Sequence, residues 1–278
     1  YLIGSLSLLW SLLYLIVYRN MPEEQKHVTR AELARIRGVD EKGEIKSANI
    51  QKRPKVPWGV LLRHSNMWAV MCAYAAYIYS LWFFLSWLPS YLVEYRKFTL
   101  IKMGFFASLP LLAGVVGDTF GGWLTDKLLV RTNNLKFARR SVAIVAMLGC
   151  GATMLLAAFT ANPYTAVYCL MGAMFFLEMT IGPAWAVPMD IGGKFSGTVS
   201  GMMNMGGQIV GALSPTIFGI LVSKGSWVAP FVVSAGLLFI GAGIWAFWID
   251  PTVSVIDKGE GTPGPAAILP APTASAER

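Results

Sequence analysis

The sequence predicts an all-α, polytopic membrane protein, and three observations lead to this fold class. Of the 278 residues, 55% are hydrophobic and only 14% are charged, whereas a soluble domain carries about 25% charged residues. Mean hydropathy is +0.55. Several apolar runs reach the length of about 20 residues that a helix needs to cross a bilayer. This composition cannot cover a water-facing surface, which excludes an ordinary soluble fold.

The positive charge is placed as a membrane protein places it. The formal net charge is +8, but most Lys and Arg lie in two stretches between apolar runs, 19–64 and 126–140, so we expect no binding to nucleic acid. The three cysteines, Cys72, Cys150 and Cys169, all lie in apolar runs without metal-ligand spacing. We therefore expect a protein of the lipid bilayer that holds neither a metal nor a cofactor.

The first 65 residues divide into an apolar run and a basic loop. Residues 1–18 lack a basic n-region and a small-residue cleavage site, so they are interpreted as the end of a transmembrane helix rather than a signal peptide. On this interpretation the chain is a fragment of a longer protein. Within the basic loop, 19–65, Thr29 and Glu32 have the spacing of a capping box, which predicts a short helix.

Six apolar spans follow, at about 66–93, 103–125, 141–160, 163–189, 197–222 and 228–249. Their short connections require neighbouring helices to run antiparallel, which predicts a six-helix bundle over residues 66–249. Residues 250–278 are rich in Pro, Ala, Gly and Thr and are predicted to form a disordered tail. If successive loops alternate between the two sides of the membrane, 19 of the 23 Lys and Arg fall on the side of loop 19–65 and the tail. Both are therefore predicted to be cytoplasmic.

The stretch GGWLTDKLLVR places a charged group at the end of the second of these spans. Gly122 precedes Asp126 by one helical turn and would let another helix approach closely. Asp126 can then face the positive N-terminal end of a neighbouring helix, while Lys127 and Arg131 stay on the wet side of the membrane. An ordinary solvated helix end is the alternative, and spacing alone leaves both interpretations open.

Two further carboxyl groups lie inside apolar spans. Asp118 lies eight residues before Asp126, hence about 12 Å deeper along the helix. Glu178, in FFLEMTIGPAWAVP, falls near the middle of its span. An ionisable group at membrane depth is costly unless it serves a function or meets a polar partner. For both residues, coupling to a transported cation and a structural polar contact remain open.

Several stretches resemble one family of transporters. GGWLTDK resembles the G-x-x-x-D-[RK] motif of the major facilitator superfamily, in its second-half copy, although the usual G-[RK]-[RK] continuation is absent. Three longer stretches are similar to the central loop, seventh helix and eleventh helix of the anion:cation symporter family within it: YRNMPEEQKHVTRAELARIRG, YSLWFFLSWLPSYLVEYR and GTVSGMMNMGGQIVGALSPTIFGIL. That family includes permeases for hexuronates, galactonate, tartrate and phthalate. The resemblance implies the end of helix six followed by helices seven to twelve, the C-terminal bundle of the major facilitator fold.

The resemblance also implies functional residues. The motif Gly122, Asp126, Lys127 and Arg131 would form a cytoplasmic gate that stabilises one state of the alternating-access cycle. A second set would line the substrate cavity: Tyr79, Trp82 and Asn204 by resemblance, and Trp185, which is flanked by prolines, and Gln208, one turn from Asn204, as weaker candidates.

The function implied is secondary active transport of a small organic anion, such as a sugar acid, with a coupled cation, H⁺ in preference to Na⁺. The resemblance to bacterial permeases implies a bacterial inner membrane. A transporter-derived sensor or scaffold that transports nothing is the alternative. A membrane enzyme is not expected, since both histidines, His27 and His64, lie outside the apolar spans and no catalytic cluster of His, Asp and Cys is present in the sequence.

Overall fold

The structure, a computed structural model, describes residues 2–19, 21–38 and 55–256, and every regular element in these ranges is helical. The chain divides into two compact units, Tyr1–Lys55 and Val56–Arg278. The all-α prediction is confirmed. The helices are α1 (Leu2–Val17), α2 (Arg30–Arg37), α3 (Trp58–Arg63), α4 (Ser65–Tyr95), α5 (Leu100–Thr132), α6 (Leu135–Phe159), α7 (Pro163–Met179), α8 (Ile181–Gly192), α9 (Ser196–Ser223) and α10 (Ala229–Phe247).

The first unit contains α1 and α2. α1 is apolar, and its side chains from Gly4 onward are exposed within the described part of the chain. α2 begins where the capping-box spacing predicts a helix: the Oγ1 atom of Thr29 accepts a hydrogen bond of 3.3 Å from the backbone N–H of Glu32. α2 ends at Arg37 and is followed by Gly38, whose φ of +74° is readily adopted only by glycine.

The second unit is built from helices that can cross a membrane. Five helical stretches are long and apolar enough to do so, judged by length and composition. One of them, Pro163–Ser223, has 61 residues, and a straight helix of that length would be about 90 Å long, three times the hydrocarbon thickness of a bilayer. The chain turns at Gly193, where φ is +48°, and α9 packs back against α8. This stretch therefore contains two segments, 163–192 and Ser196–Ser223, that are each long enough to cross the membrane.

The loop between the second and third spans is much shorter than predicted. α5 continues through the charged stretch to Thr132, and α6 begins at Leu135, so two residues replace a loop of about 15. Asn133 adopts a left-handed conformation, and the side chain of Asn134 accepts a hydrogen bond of 2.9 Å from the N–H of Phe137. Lys and Arg mark where a helix leaves the apolar layer, but they are good helix formers and do not end it.

α5 and α7 pack backbone against backbone. A Cβ atom added to Gly117 would overlap the carbonyl of Phe175, and one added to Gly121 would overlap the carbonyl of Met179. Pro183 has no N–H, so the Met179 carbonyl lacks its usual helical donor. The approach of the Gly121 backbone brings Cα–H groups to that carbonyl. Two glycines one turn apart thus set the distance between these helices.

At the opposite end of the bundle from the α5–α6 connection, a buried arginine caps α6. The guanidinium of Arg96 donates to the carbonyls of Ala157 at 2.7 Å and Thr160 at 2.8 Å, and to the hydroxyl of Tyr91 at 2.7 Å. The last carbonyls of a helix carry partial negative charge. They stabilise the buried cation and join the end of α4 to the end of α6.

The segment after α10 runs across the end of the bundle where α4 begins. The side chain of Asn66 accepts from the N–H of Asp250 at 2.9 Å and donates to its carbonyl at 2.7 Å. Val255 is buried, and its N–H donates to the carbonyl of Ile191 at the end of α8. The boundary predicted for a disordered tail at residue 250 is therefore too early, because apolar side chains of 250–256 pack on the bundle. The rest of that predicted tail, 257–278, lies outside the described residues.

We expect the ion pair between Lys136 and Asp250 to make a small, pH-dependent contribution to stability. The atoms Nζ and Oδ2 are 2.6 Å apart, and the side chains are 43% and 25% exposed. Partial burial opposes ionisation of Asp250, but hydrogen bonds from Lys136 and Thr252 outweigh it, so its pKa lies below the ordinary value. A lowered pKa in the folded protein means stabilisation above about pH 4 that is lost as the pH falls through the lowered value.

Asp250→Asn should therefore lower stability by no more than about 1 kcal/mol at pH 7, because the pair is partly exposed and solvent screens it. The difference from wild type should be smaller at pH 3, because the stabilisation is lost as the pH falls towards the lowered pKa of Asp250. Thermal unfolding in detergent at both pH values measures it, and Lys136→Met should give a loss of the same size at pH 7. An equal deficit for Asp250→Asn at both pH values would contradict this account.

Candidate functional site

Arg139 joins two carboxylates at the end of the bundle where α5 meets α6. Its Nη1 atom lies 3.2 Å from Oδ1 of Asp126, and its Nε atom lies 3.2 Å from Oδ2 of Asp190. The side chains of Arg139 and Asp190 are 10% and 12% exposed, whereas that of Asp126 is 73% exposed. The Oγ1 atom of Thr125 accepts a further bond of 3.3 Å from Arg139. We call Asp126, Arg139 and Asp190 the charged triad; it links α5, α6 and α8.

The predicted gate motif is only partly built into this triad. Asp126 belongs to it, and its partner is the guanidinium of Arg139, the fifth residue of α6. The Nζ atom of Lys127 lies 4.3 Å from the ring centroid of Trp123 on the same helix, a cation–π contact. Arg131 is exposed in the last turn of α5. In the sequence, Arg139 is one of several charges in a predicted loop, and no sequence pattern predicts its pairing with Asp190, 51 residues later.

Gly122 lies at a close helix approach, as predicted, but it is not the residue that the approach requires. A Cβ atom on Gly122 would meet nothing within 4 Å, whereas a Cβ atom on Gly182 of α8 would lie 2.8 Å from the backbone N and Cα of Gly122. The backbone of α5 at Gly122 is therefore the surface on which α8 packs, and Gly182 is the residue that must lack a side chain. This contact holds α8, which carries Asp190, against α5, which carries Asp126.

Glu178 has a specific polar partner inside the bundle. The hydroxyl of Tyr77, which is buried on α4, donates to Oε1 of Glu178 at 3.1 Å. The ring of Tyr74 stacks on that of Tyr77, with centroids 5.3 Å apart, and meets the ring of Trp185 edge-on at 6.1 Å. Two tyrosines that the sequence shows only as part of an aromatic stripe thus connect Glu178 to Trp185, a predicted cavity residue.

The surroundings of Glu178 leave room for a carboxyl group but supply no counter-ion. A Cβ atom on Gly114 of α5 would lie 3.0 Å from Cγ of Glu178. Asp118 lies one turn further along α5 and is close enough to interact electrostatically with Glu178. Among the described residues, no Lys, Arg or His forms an ion pair with either carboxyl group. Asp118 is exposed on the bundle surface, while Glu178 is half-buried.

The remaining predicted cavity residues lie on α4 and α9. Tyr79 is buried against Phe218, and its hydroxyl has no hydrogen-bond partner in the described part of the chain. Trp82 is half-buried and packs on Gly211. In this structure, therefore, Tyr79 belongs to the bundle core rather than to its open surface.

Asn204 and Gln208 flank the point where Tyr74 rests on α9. Asn204 is half-buried, Gln208 is exposed, and neither hydrogen-bonds to Glu178 or to the tyrosine pair. A Cβ atom on Gly207, between them, would lie 2.7 Å from the ring of Tyr74. The structure therefore gathers Glu178 and Trp185 around Tyr74 and Tyr77, while Asn204 lies one turn before this contact on α9 and Gln208 directly follows it.

Comparison with known proteins gives consistent matches along the chain. A family model described as the Major Facilitator Superfamily matches residues 1–215 and 136–275. The chain is 41% identical over 261 residues to a probable sulfoacetate transporter of Cupriavidus necator, covering 93% of the chain and 58% of that protein. It is 29% identical over 244 residues to a D-galactonate transporter of Escherichia coli, covering 86% of the chain and 56% of that protein.

A hexuronate transporter of Bacillus subtilis is 26% identical over 265 residues, which cover 94% of the chain and 59% of that protein. The chain thus spans a little over half the length of these curated relatives, which are of the kind that the resemblance predicts. The matched family consists of transporters, which confirms the prediction that the chain is not an enzyme. With its membrane-crossing helices it is an integral membrane protein. Because the family model matches well over half of its length, the chain belongs to the major facilitator superfamily.

Proposed function

We propose that this chain is part of a secondary transporter that moves a small organic anion by alternating access, with a coupled cation. The observation that carries the proposal is the carboxyl group of Glu178, which lies inside a membrane span and is held by a tyrosine instead of a cation. An ionisable group at membrane depth marks a substrate or ion pathway. The relatives named for sulfoacetate, galactonate and hexuronate support an anion carrying carboxylate or sulfonate as the substrate.

The substrate contacts that this chain would offer are polar amides and an aromatic wall. The amides of Asn204 and Gln208 can both donate and accept, which suits a carboxylate or a hydroxylated acid. Trp185 on α8 is partly exposed and contacts Tyr74, and Trp82 and Tyr79 would contribute from α4 after a rearrangement of the core. No Lys or Arg lies at the middle of a described span, so the cationic anchor for the anion would come from outside the described bundle.

Cation coupling is assigned to Glu178, with Asp118 as its neighbour across α5 and α7. A carboxyl group that exchanges a proton changes its charge as the transporter cycles, which links proton flow to substrate movement. H⁺ is favoured over Na⁺ because Glu178 offers one carboxylate and one hydroxyl, fewer oxygen ligands than metal ions usually take in proteins. Asp118, which is exposed, is the second candidate for this coupling.

The charged triad is proposed as a latch of the gate on the side where α5 ends. The positive-inside distribution of Lys and Arg supports a cytoplasmic location for that side, for loop 19–65 and for the tail, in a bacterial inner membrane. Two bundles rocking against each other about a midplane site require such contacts to form and break once per cycle.

The test is uptake by the complete protein in proteoliposomes. Labelled sulfoacetate, galactonate and glucuronate would be offered with an inward proton gradient, an inward Na⁺ gradient, or neither. We expect one of these anions to accumulate above its equilibrium level only with the proton gradient. Accumulation of none of them would favour the sensor or scaffold function, and equilibration without accumulation would remove cation coupling.

We expect Glu178→Gln to abolish proton-driven accumulation. The amide has nearly the same shape and still accepts a bond from Tyr77, but it cannot release a proton. Counterflow of labelled against unlabelled substrate, which needs no net proton movement, should persist, and this shows that the variant is folded and binds substrate. Uptake by Glu178→Gln that keeps the wild-type dependence on pH would end the coupling assignment.

A further inference from the structure

Tyr74 and Tyr77 contact opposite sides of a break in the helical path. They lie three residues apart and so share one face of α4. Tyr77 bonds to Glu178 in the last turn of α7, whereas Tyr74 meets Trp185 in the first turns of α8. α4 is continuous over both residues, so the pair bridges two helices that are joined only through Thr180.

The break itself follows from the sequence around Thr180. Pro183 cannot donate to the carbonyl of Met179, so one bond of the helical ladder is missing. The N–H of Thr180 ends α7 by donating to the carbonyl of Leu177, three residues earlier instead of four, and α8 begins at Ile181. A helix with a missing bond bends more easily at that point than a complete one. The angle between α7 and α8 therefore depends on contacts from other helices.

The groups that surround Glu178 do not fix its charge state. From α4 it faces Tyr77 and Tyr74, from α5 Asp118, and from α6 Cys150. None of these is a cation, so no fixed positive charge holds Glu178 in its ionised form. The Tyr77 hydroxyl is the one side chain that hydrogen-bonds to it within the described residues.

We propose that Tyr77 and Tyr74 are positioning residues that transmit the charge state of Glu178 across the α7–α8 break to Trp185. This inference rests on the proposed function. A hydroxyl bond to a carboxylate is about twice as strong as one to a neutral carboxyl group. When Glu178 takes up a proton, the bond from Tyr77 weakens, the tyrosine pair is released from α7, and α8 becomes free to change its angle.

The consequence reaches both ends of α8. Its first turns carry Trp185, which contacts Tyr74, and its last turn carries Asp190, which pairs with Arg139 in the charged triad. A change in the angle of α8 would move the cavity wall and strain the triad together. Protonation in the middle of the bundle would thereby favour opening of the gate where α5 ends.

The test compares Tyr77→Phe with a matched control, Tyr168→Phe. Tyr168 lies on the same helix as Glu178, is 65% exposed, and makes no hydrogen bond, ion pair or ring contact with the described residues. Uptake by the complete protein would be measured from pH 5.5 to 8. We expect Tyr77→Phe to lower the ratio of uptake at pH 5.5 to uptake at pH 8 about tenfold, because it removes a hydrogen bond to a charged group. Tyr168→Phe should match wild type, and Tyr77→Phe combined with Glu178→Gln should add nothing to Glu178→Gln.

A second readout does not depend on transport. Amide hydrogen exchange of residues 179–192, measured in detergent at one pH, should be faster in Tyr77→Phe and in Tyr74→Leu than in wild type, and unchanged in Tyr168→Phe. Glu178→Gln should show an intermediate increase, since it keeps a neutral acceptor for Tyr77. If Tyr77→Phe does not fold, the comparison of Glu178→Gln with wild type decides, and equal exchange would overturn the inference.

The outcomes separate the two proposals. If Glu178→Gln abolishes the pH dependence while Tyr77→Phe leaves it unchanged, coupling stands and the tyrosine bridge is wrong. If neither variant changes uptake but both accelerate exchange in α8, the bridge exists and the coupling function of Glu178 is wrong. Wild-type exchange in Tyr77→Phe overturns the inference whatever the transport result.

Discussion

Arg139→Ala should destabilise the bundle by about 3 kcal/mol or more, the largest effect that we expect from a single charged side chain. Removal of the guanidinium leaves Asp190, which is 12% exposed, as an unpaired carboxylate, and breaking a buried ion pair from one side costs about 3–5 kcal/mol. Asp126 would lose little because it is 73% exposed. Thermal or urea unfolding in detergent gives the change in stability.

The control is a cation from a more exposed pair. Lys136→Ala should cost no more than about 1 kcal/mol, since its side chain is 43% exposed. Adding Asp190→Asn to Arg139→Ala should restore much of the lost stability, because the destabilisation comes from the unpaired charge of Asp190. If Arg139→Ala unfolds like Lys136→Ala, the charged triad does not hold α6 to α8.

Gly121→Ala should be the most damaging of the conservative substitutions in α5. The added Cβ atom would overlap the carbonyl of Met179, a backbone atom that can move only with its helix. Overpacking of this kind costs about 1–3 kcal/mol. We expect a loss of 2 kcal/mol or more by this estimate, because α5 and α7 must separate along their contact.

Gly104→Ala is the matched control on the same helix. A Cβ atom at Gly104 meets nothing within 4 Å, so alanine should be neutral or stabilising by up to about 1 kcal/mol through its better helix propensity. The unfolding midpoints of the two variants, measured side by side in detergent, test the assignment. Equal midpoints for Gly121→Ala and Gly104→Ala would show that the close approach is not needed for folding.

The glycine contacts of α5 and the ion pairs of Arg139 both position α8. The glycine contacts fix where α7 and α8 run along α5, and Arg139 holds the end of α8 that carries Asp190. Between them, Tyr74 and Tyr77 contact both sides of the break at Thr180. Helix contacts made through backbone and small residues allow close packing without large side chains, which is how membrane helices associate when lipid competes for every apolar surface.

The fold class and the polar residues worth testing could be predicted from the sequence. In lipid every backbone polar group must be satisfied within the chain, so long apolar runs of this composition have to be helices. The capping box at Thr29 and Glu32 is a local interaction and needs no tertiary contact. Glu178 and Asp118 are noticeable because an acid in an apolar run is unusual whatever surrounds it.

The partners of those residues were decided by the tertiary structure alone. The bond between Tyr77 and Glu178 joins residues 101 positions apart, and the pair of Arg139 and Asp190 joins residues 51 apart. Periodicity places a residue on a helix face, but it does not say which other helix lies against that face. For the same reason, Gly122 was recognisable as a small residue at a contact, while the need for Gly121 and Gly182 became visible only with the opposing backbone in place.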